Sequence, residues 1–234
     1  MVRVEELTKR YGALEALKGV TAEFPPGKVT AVVGPNASGK STLMKSILGL
    51  VVPSGGEVYV LGEPARKNPR VREHIGYMPQ DPRFPENTTV REVVRWIEEL
   101  RGAPKLDLDE LFAYFGLSPH LDQPTRVLSG GTRQKLSAVL AFLFDPEVFI
   151  LDEPTAGLDP LASSRFKDRV AAERDRGKTV ILTSHVMSEL EELADRLVFL
   201  LEGEVVFAGD LEELRERTGE VRLERAVARL MEAS

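Results

Sequence analysis

Two stretches of this chain carry residue types at spacings that can do chemistry. The first is Gly34-Pro35-Asn36-Ala37-Ser38-Gly39-Lys40-Ser41, which fits the pattern G-x-x-x-x-G-K-[ST] for binding a chain of phosphates. Glycine at each end lets the backbone bend tightly, so that successive N–H groups point into one concavity. A helix beginning near Lys40 adds its positive dipole end behind them. The Lys40 ammonium then reaches the outer phosphates, and the Ser41 hydroxyl is placed to bind the magnesium ion that bridges them. With Thr42 following into the helix, the candidate phosphate-binding residues run from Gly34 to Thr42. The second stretch is Val148-Phe149-Ile150-Leu151-Asp152-Glu153, an apolar run that ends in two acids. A strand of this kind delivers a carboxylate to magnesium at its carboxyl end. Asp152 is placed to bind the metal, directly or through water. Glu153, one residue on and pointing the other way, is placed to polarise an attacking water.

Both stretches need strands to carry them. Val29 to Val33 reads as a buried strand, and Leu43, Met44, Ile47 and Leu48 have helical spacing within Ser41 to Leu50. Ahead of them, Val2 to Glu5 and Gly19 to Phe24 read as short strands, with Lys9-Arg10-Tyr11-Gly12 as a turn between. Glu57 to Leu61 and Ile75 to Gln80 are further strands. Residues 81 to 128 change character. Val90, Val93, Val94, Ile97 and Leu100 mark one face of a helix, and Leu108, Leu111, Phe112 and Phe115 mark a second, shorter stripe. These stripes are expected to form the core of a small helical insert, with Trp96 off the stripe and exposed. From Ser129 onward strands and helices alternate: helix Thr132 to Phe144, strand Val148 to Leu151, helix Leu161 to Arg176, strand Thr179 to Thr183, helix Met187 to Asp195. A hairpin from Arg196 to Ala208 turns at Glu202-Gly203-Glu204, and two charged helices flank Gly219. The expected fold class is α/β: a P-loop NTPase core with a parallel sheet, an N-terminal antiparallel β subdomain and a small α-helical insert. Nucleotide is expected at the carboxyl edge of the parallel sheet.

Leu128-Ser129-Gly130-Gly131-Thr132 lies shortly before the acidic strand and resembles the signature sequence of ABC-type ATPases. The resemblance covers Met1 to about Asp210 and is carried by several motifs in one order. It implies that Tyr11 stacks on adenine, and that Gln80 senses magnesium and the attacking water beside the helical insert. It also implies that Asp159, in Gly157-Leu158-Asp159, is the acid of a loop crossing between subunits. His185, in Ser184-His185, would contact the γ-phosphate. Each residue also has a plainer reading: an exposed turn tyrosine, a loop amide, a structural histidine. His74 and His120 have no such context. Ser129-Gly130-Gly131 opens a helix, and its N–H groups with the Ser129 hydroxyl make an anion site without a lysine. The resemblance implies that two chains meet head to tail, each signature capping the γ-phosphate held by the other chain's loop. ATP then joins the subunits and hydrolysis releases them. Thr132 stands where the family more often has glutamine, and Ala37-Ser38 where it usually has glycine-alanine. Backbone binding is expected to tolerate the second change. On this resemblance residues 1–210 form an ATP-binding domain with an insert at about 81–144, and 211–234 form a helical tail that packs on the domain or on a partner.

The chain has 234 residues, a net charge of -6 and no cysteine. The acidic balance argues against generic nucleic-acid binding, and the lack of cysteine rules out disulfides and thiolate metal sites. The first residues, Met1-Val2-Arg3-Val4-Glu5-Glu6, place charges where a signal peptide needs an apolar core. No apolar run approaches the ~18 residues that cross a bilayer. The leading expectation is the ATP-binding and ATP-hydrolysing subunit of a membrane transporter, with ATP and Mg2+ as cofactors. Its expected partners are a second copy of itself and separate membrane-spanning permease chains, with no direct nucleic acid. It is expected to be cytoplasmic and to sit on the inner face of the membrane through the permease. The loop from Asp81 to Thr89 and the helix after it are expected to receive a coupling helix of that permease. Within the class the chain looks similar to exporter-type ATPases, including those of drug, haem and copper-enzyme maturation systems. The alternative is a soluble mechanoenzyme of the same superfamily acting on DNA or ribosomes. Such proteins usually carry a long inserted coiled coil or two nucleotide domains, and neither pattern is present. A small-molecule kinase would share the phosphate loop but gives no role to Ser129-Gly130-Gly131 or His185.

Overall fold

The alternation of buried positions in the first strand breaks at two adjacent acids, Glu5 and Glu6, and the fold absorbs the break as a bulge. In the computed structural model, which describes residues 1–232, strand β1 (Val2–Tyr11) pairs antiparallel with β2 (Leu14–Phe24). Glu6 takes φ 47°, and the buried set shifts from Val2 and Val4 to Leu7. The Thr21 hydroxyl accepts the Glu6 N–H at 3.0 Å and donates to the Glu6 carboxylate at 3.0 Å, which fixes the bulge. The strand therefore continues past the expected end at Glu5. Lys9 to Tyr11 close the hairpin as strand, and the turn is Gly12-Ala13.

The chain then runs through β3 (Lys28–Val33), α1 (Lys40–Ile47), β4 (Gly55–Val60), β5 (Glu63–Pro64) and β6 (Ile75–Met78). Helices α2 (Val90–Arg101), α3 (Leu108–Tyr114) and α4 (Gly130–Phe142) follow. Next come β7 (Val148–Asp152), α5 (Pro160–Asp175), β8 (Thr179–Thr183), α6 (Met187–Leu193), β9 (Arg196–Leu201) and β10 (Glu204–Asp210). Helices α7 (Leu211–Thr218) and α8 (Leu223–Glu232) end the described chain. One sheet is antiparallel, in the order β2-β1-β4-β5. The other has the order β10-β9-β3-β8-β7-β6 and is parallel except for β10, which pairs antiparallel with β9. The fold is the expected α/β class.

Period-two alternation shows how the larger sheet is covered on both faces. Val29, Ala31 and Val33 of β3 enter one apolar cluster, and Val32 enters the other. Phe149 and Leu151 of β7 share the first, whereas Val148 and Ile150 share the second. The second cluster fills the space between the two sheets around Leu43, Met44 and Ile47 of α1. The first takes in α4, α5, α6 and α8, together with Val90, Val93 and Val94 of α2 and Leu111 and Phe112 of α3. The helical segment therefore shares its core with the sheet and does not have the separate core expected of it. Phe142 of α4 is the joint: its ring lies 5.8 Å from Phe115, 4.8 Å from Phe149 and 6.0 Å from Phe166. Leu100, expected on the buried face of α2, is 81% exposed, because the helix lifts off the core in its last turn. Trp96 is exposed as expected. At the other end, Leu223, Ala226, Val227 and Leu230 bury the stripe of α8 against the domain itself.

A Phe142→Ala variant is expected to lose about 3–5 kcal/mol of stability. Urea unfolding reads this as a lower midpoint at unchanged slope; a loss below about 1 kcal/mol would contradict a core shared between insert and sheet.

Candidate active site

Register brings the chemistry together. Strands β3, β8 and β7 are neighbours, and the Asp152 to Thr183 pairing levels the ends of β7 and β8. Their carboxyl ends carry the phosphate loop, Ser184-His185 and Asp152-Glu153. Gln80 follows the edge strand β6, and Tyr11 arrives from the hairpin of the other sheet. All of these meet at one cavity of about 620 Å³, lined by Tyr11, Asn36 to Thr42, Gln80, Asp152, Glu153 and His185.

The loop conformation follows from its glycines. A side chain at Gly34 (φ 152°) would lie 2.1 Å from the Leu200 carbonyl oxygen, and one at Gly39 (φ 106°) would lie 2.7 Å from that of Ala16. Neither position has room for a side chain. Ala37, at φ 65°, holds a left-handed conformation that costs a non-glycine residue roughly 1–2 kcal/mol. The loop keeps its shape despite that cost, because the Gly203 N–H donates to the Ser38 carbonyl at 3.0 Å and ties it to the β9–β10 turn. Lys40 Nζ donates to the carbonyls of Gly34 at 2.7 Å and Pro35 at 2.9 Å, arching back over the loop. Burial pulls the Lys40 pKa below the ordinary lysine value, with the charges of Glu153 and Asp152 pushing back. Ser38 is buried, and its hydroxyl has no hydrogen-bond partner among the described residues.

The acids are held by Thr183. Its hydroxyl donates to Asp152 Oδ1 at 2.5 Å and accepts the Glu153 N–H at 3.0 Å. Glu153 sits at φ 48°, so the chain turns sharply after the strand and sends two consecutive carboxylates in different directions. Glu153 Oε1 lies 2.7 Å from Nε2 of His185, whose side chain is 56% exposed against 19% for Glu153. Below them, Tyr77 has its phenol pKa raised, first by burial and then by the charge of Asp152. The donor set suits magnesium. Among the described residues no cluster of three or more His, Cys, Asp or Glu could hold a metal. One hydroxyl, one carboxylate and one amide (Ser41, Asp152 and Gln80) do meet in the cavity, the sparse protein share of an ion otherwise bound by phosphates and water.

Six predicted residues do not line this cavity, and four of them, Ser129, Gly130, Gly131 and Asp159, belong to the starts of α4 and α5. Ser129 caps α4, accepting the Thr132 N–H at 3.1 Å and sharing a 2.8 Å hydrogen bond with the Thr132 hydroxyl. Gly130 is exposed beside it, and Gly131 backs onto Gly157, whose carbonyl oxygen would sit 2.5 Å from any added Cβ. Asp159 caps α5 by accepting the Ala162 N–H at 2.9 Å and pairs with Lys135 at 2.9 Å. The Lys135 hydrogen bond, followed by that N–H, holds its carboxyl below the usual range. Of the phosphate loop, Gly34 and Pro35 lie behind the cavity wall and serve through their carbonyls. Sequence reading missed Thr183, which looked like the last residue of a strand, and Gln134 of α4. The buried Gln134 amide donates to the carbonyls of Glu153 at 3.3 Å and Pro154 at 3.4 Å. A polar residue at an otherwise apolar helix position was the one signal for it.

The family model described as ABC transporter matches residues 17–156, more than half of the chain. The chain belongs to the ABC transporter family. It is 32% identical over 207 residues to the lantibiotic transport ATP-binding protein SrtF of Streptococcus pyogenes, covering 88% of this chain and 89% of that protein. It is 35% identical over 213 residues to the Nod factor export ATP-binding protein I of Rhizobium meliloti, covering 89% of this chain and 64% of that one. A solved ATP-binding subunit of an ABC transporter superposes with a TM-score of 0.93 at 30% identity, covering 99% of both chains. The chain is thus an ATP-binding subunit of the family, with the fold of its ATPases. Among the described residues no helix is long and apolar enough to cross a membrane.

Lys40→Ala removes the ammonium at the centre of the loop. ATP affinity is expected to fall by about 10–100-fold, the worth of one or two charge-assisted hydrogen bonds, and phosphate release to stop. Nucleotide titration and a phosphate-release assay check this; turnover at the wild-type rate would contradict the loop's role.

Proposed function

We propose that this ABC subunit is the Mg2+-dependent ATP-hydrolysing motor of an export-type transporter, working as a head-to-tail pair on separate membrane-spanning chains. The observation that carries the reading is the Glu153–His185 contact at 2.7 Å, beside a cavity walled by the Lys40 loop. The loop N–H groups and Lys40 bind the β- and γ-phosphates, and the Tyr11 ring offers a flat face to the adenine. Ser41, Asp152 and Gln80 would hold the ion, which when bound neutralises charge on the phosphate oxygens. Glu153 accepts a proton from the attacking water, and His185 orients the Glu153 carboxylate and reaches the γ-phosphate.

The Ser129-Gly130-Gly131 corner, with Ser129 and Gly130 exposed, supports the pairing. The N-terminus of α4, capped by Ser129, lies outside its own cavity, where it can close over the phosphate held by a second copy. Asp159, exposed on the adjoining turn, belongs to the same face. The loop from Asp81 to Thr89, with Trp96 exposed on α2, is the proposed contact for the membrane-spanning chain, which would place the subunit at the inner face of the membrane. The name of the Rhizobium meliloti relative supports an export direction.

Glu153→Gln keeps the size of the side chain and removes its basicity. ATP is expected to bind with near wild-type affinity while hydrolysis slows by about 10²–10⁴-fold. Single-turnover kinetics with MgATP measure both; hydrolysis within a few-fold of wild type would overturn the assignment of Glu153 as base.

A further inference from the structure

The turns that carry Glu153 and His185 leave neighbouring strands, and strand pairing ends before either residue, at Asp152 and Thr183. Beyond that point Glu153 holds a left-handed conformation, which a non-glycine residue keeps only where its surroundings over-determine it. One carboxylate reaches both turns. Thr155, two residues past Glu153, donates its hydroxyl to Oε2 of Glu189 at 2.7 Å. Ser184, immediately before His185, donates its hydroxyl to the same oxygen at 3.3 Å and accepts the Val186 N–H at 3.0 Å.

The helix that presents Glu189 is itself fixed on three sides. Leu190 is fully buried in the core. Glu192 pairs with Lys167 of α5 at 2.5 Å, and Glu191 accepts the Leu223 N–H that opens α8. Glu189 is therefore a stationary acceptor, and the two turns hang on it.

We propose that Glu189 is a positioning residue for hydrolysis: its carboxylate pins the Glu153 turn to the Ser184-His185 turn and so sets the 2.7 Å contact between base and imidazole. The inference rests on the reading of Glu153 and His185 given above. A residue that only stabilised the fold would affect nucleotide binding and turnover together or neither. A pin between two catalytic turns affects the geometry of the chemical step and leaves the phosphate loop, on the far side of β8, as it was.

The test measures kcat, KM for ATP and equilibrium ATP affinity, with melting temperatures, on the full chain. Glu189→Ala is expected to lower kcat about tenfold, the worth of a charge-assisted hydrogen bond, with KM and ATP affinity within about twofold. Thr155→Val, which cuts one arm of the pin, is expected to do the same, and the double variant to lose little more, because either change breaks the same link between the two turns. Glu189→Gln keeps an amide oxygen that accepts both hydroxyls and is expected to recover kcat to within about threefold of wild type. If Glu189→Ala does not fold, Thr155→Val carries the test alone. Unchanged kcat in Thr155→Val, additive losses in the double variant, or a Gln variant no better than Ala would overturn the pin. Glu153→Gln in the same assay separates the two readings: if it hydrolyses normally, the hydrolytic assignment fails first; if it is slow while Thr155→Val is normal, the pin fails alone.

Discussion

The level carboxyl ends of three adjacent parallel strands are the constraint on which the rest of this molecule depends. A phosphate loop binds but does not hydrolyse, and an acid at a strand end is common. Function needs both within a few ångströms, with an imidazole between solvent and carboxylate. The β3-β8-β7 order supplies this, because β8 is inserted between two strands that are more than a hundred residues apart in the chain. The sheet is covered by the antiparallel sheet and α1 on one face and by the helices and the aromatic cluster around Phe142 on the other.

The site is also a place where local preferences are overruled. Ala37 and Glu153 both take left-handed backbone, Lys40 is drawn below its ordinary pKa by burial, and Ser38 keeps a buried hydroxyl unpartnered. Each is unfavourable for an isolated chain. Together they make a concavity in which Lys40 and the loop face Asp152 and Glu153 across one cavity. The clamps are polar and come from outside the motifs: Thr183 on the acids, Gln134 on the carbonyls after Glu153, Glu189 on the turns.

Much of this was legible in the sequence, for physical reasons that differ by element. Buried parallel strands such as Val29–Val33 and Thr179–Thr183 read as short runs of apolar and β-branched residues, so their limits were found to within a residue. The motifs were legible because backbone phosphate binding demands glycine at fixed positions. The long β1 was not, since a bulge at Glu6 breaks the alternation that announces a strand, and so the reach of Tyr11 was read as a turn. Leu100 and the insert's supposed private core were misread because helical periodicity shows which face is apolar but not what covers it or where a helix leaves the core. Thr183, Gln134 and Glu189 were illegible for a simpler reason: each makes a hydrogen bond to a residue about 20 to 35 positions away, which leaves no local pattern.

The central proposal is that one chain holds half of a working site, with the phosphate cradle in its cavity and the anion cap of Ser129-Gly130-Gly131 on its surface. Light scattering on Glu153→Gln at saturating MgATP tests this most directly, since the variant holds ATP without consuming it. The account predicts a rise from the single-chain mass of 25.9 kDa to twice that value with ATP, with no rise in MgADP and none in a variant that also carries Ser129→Arg. A mass that stays at one chain in saturating MgATP would contradict it.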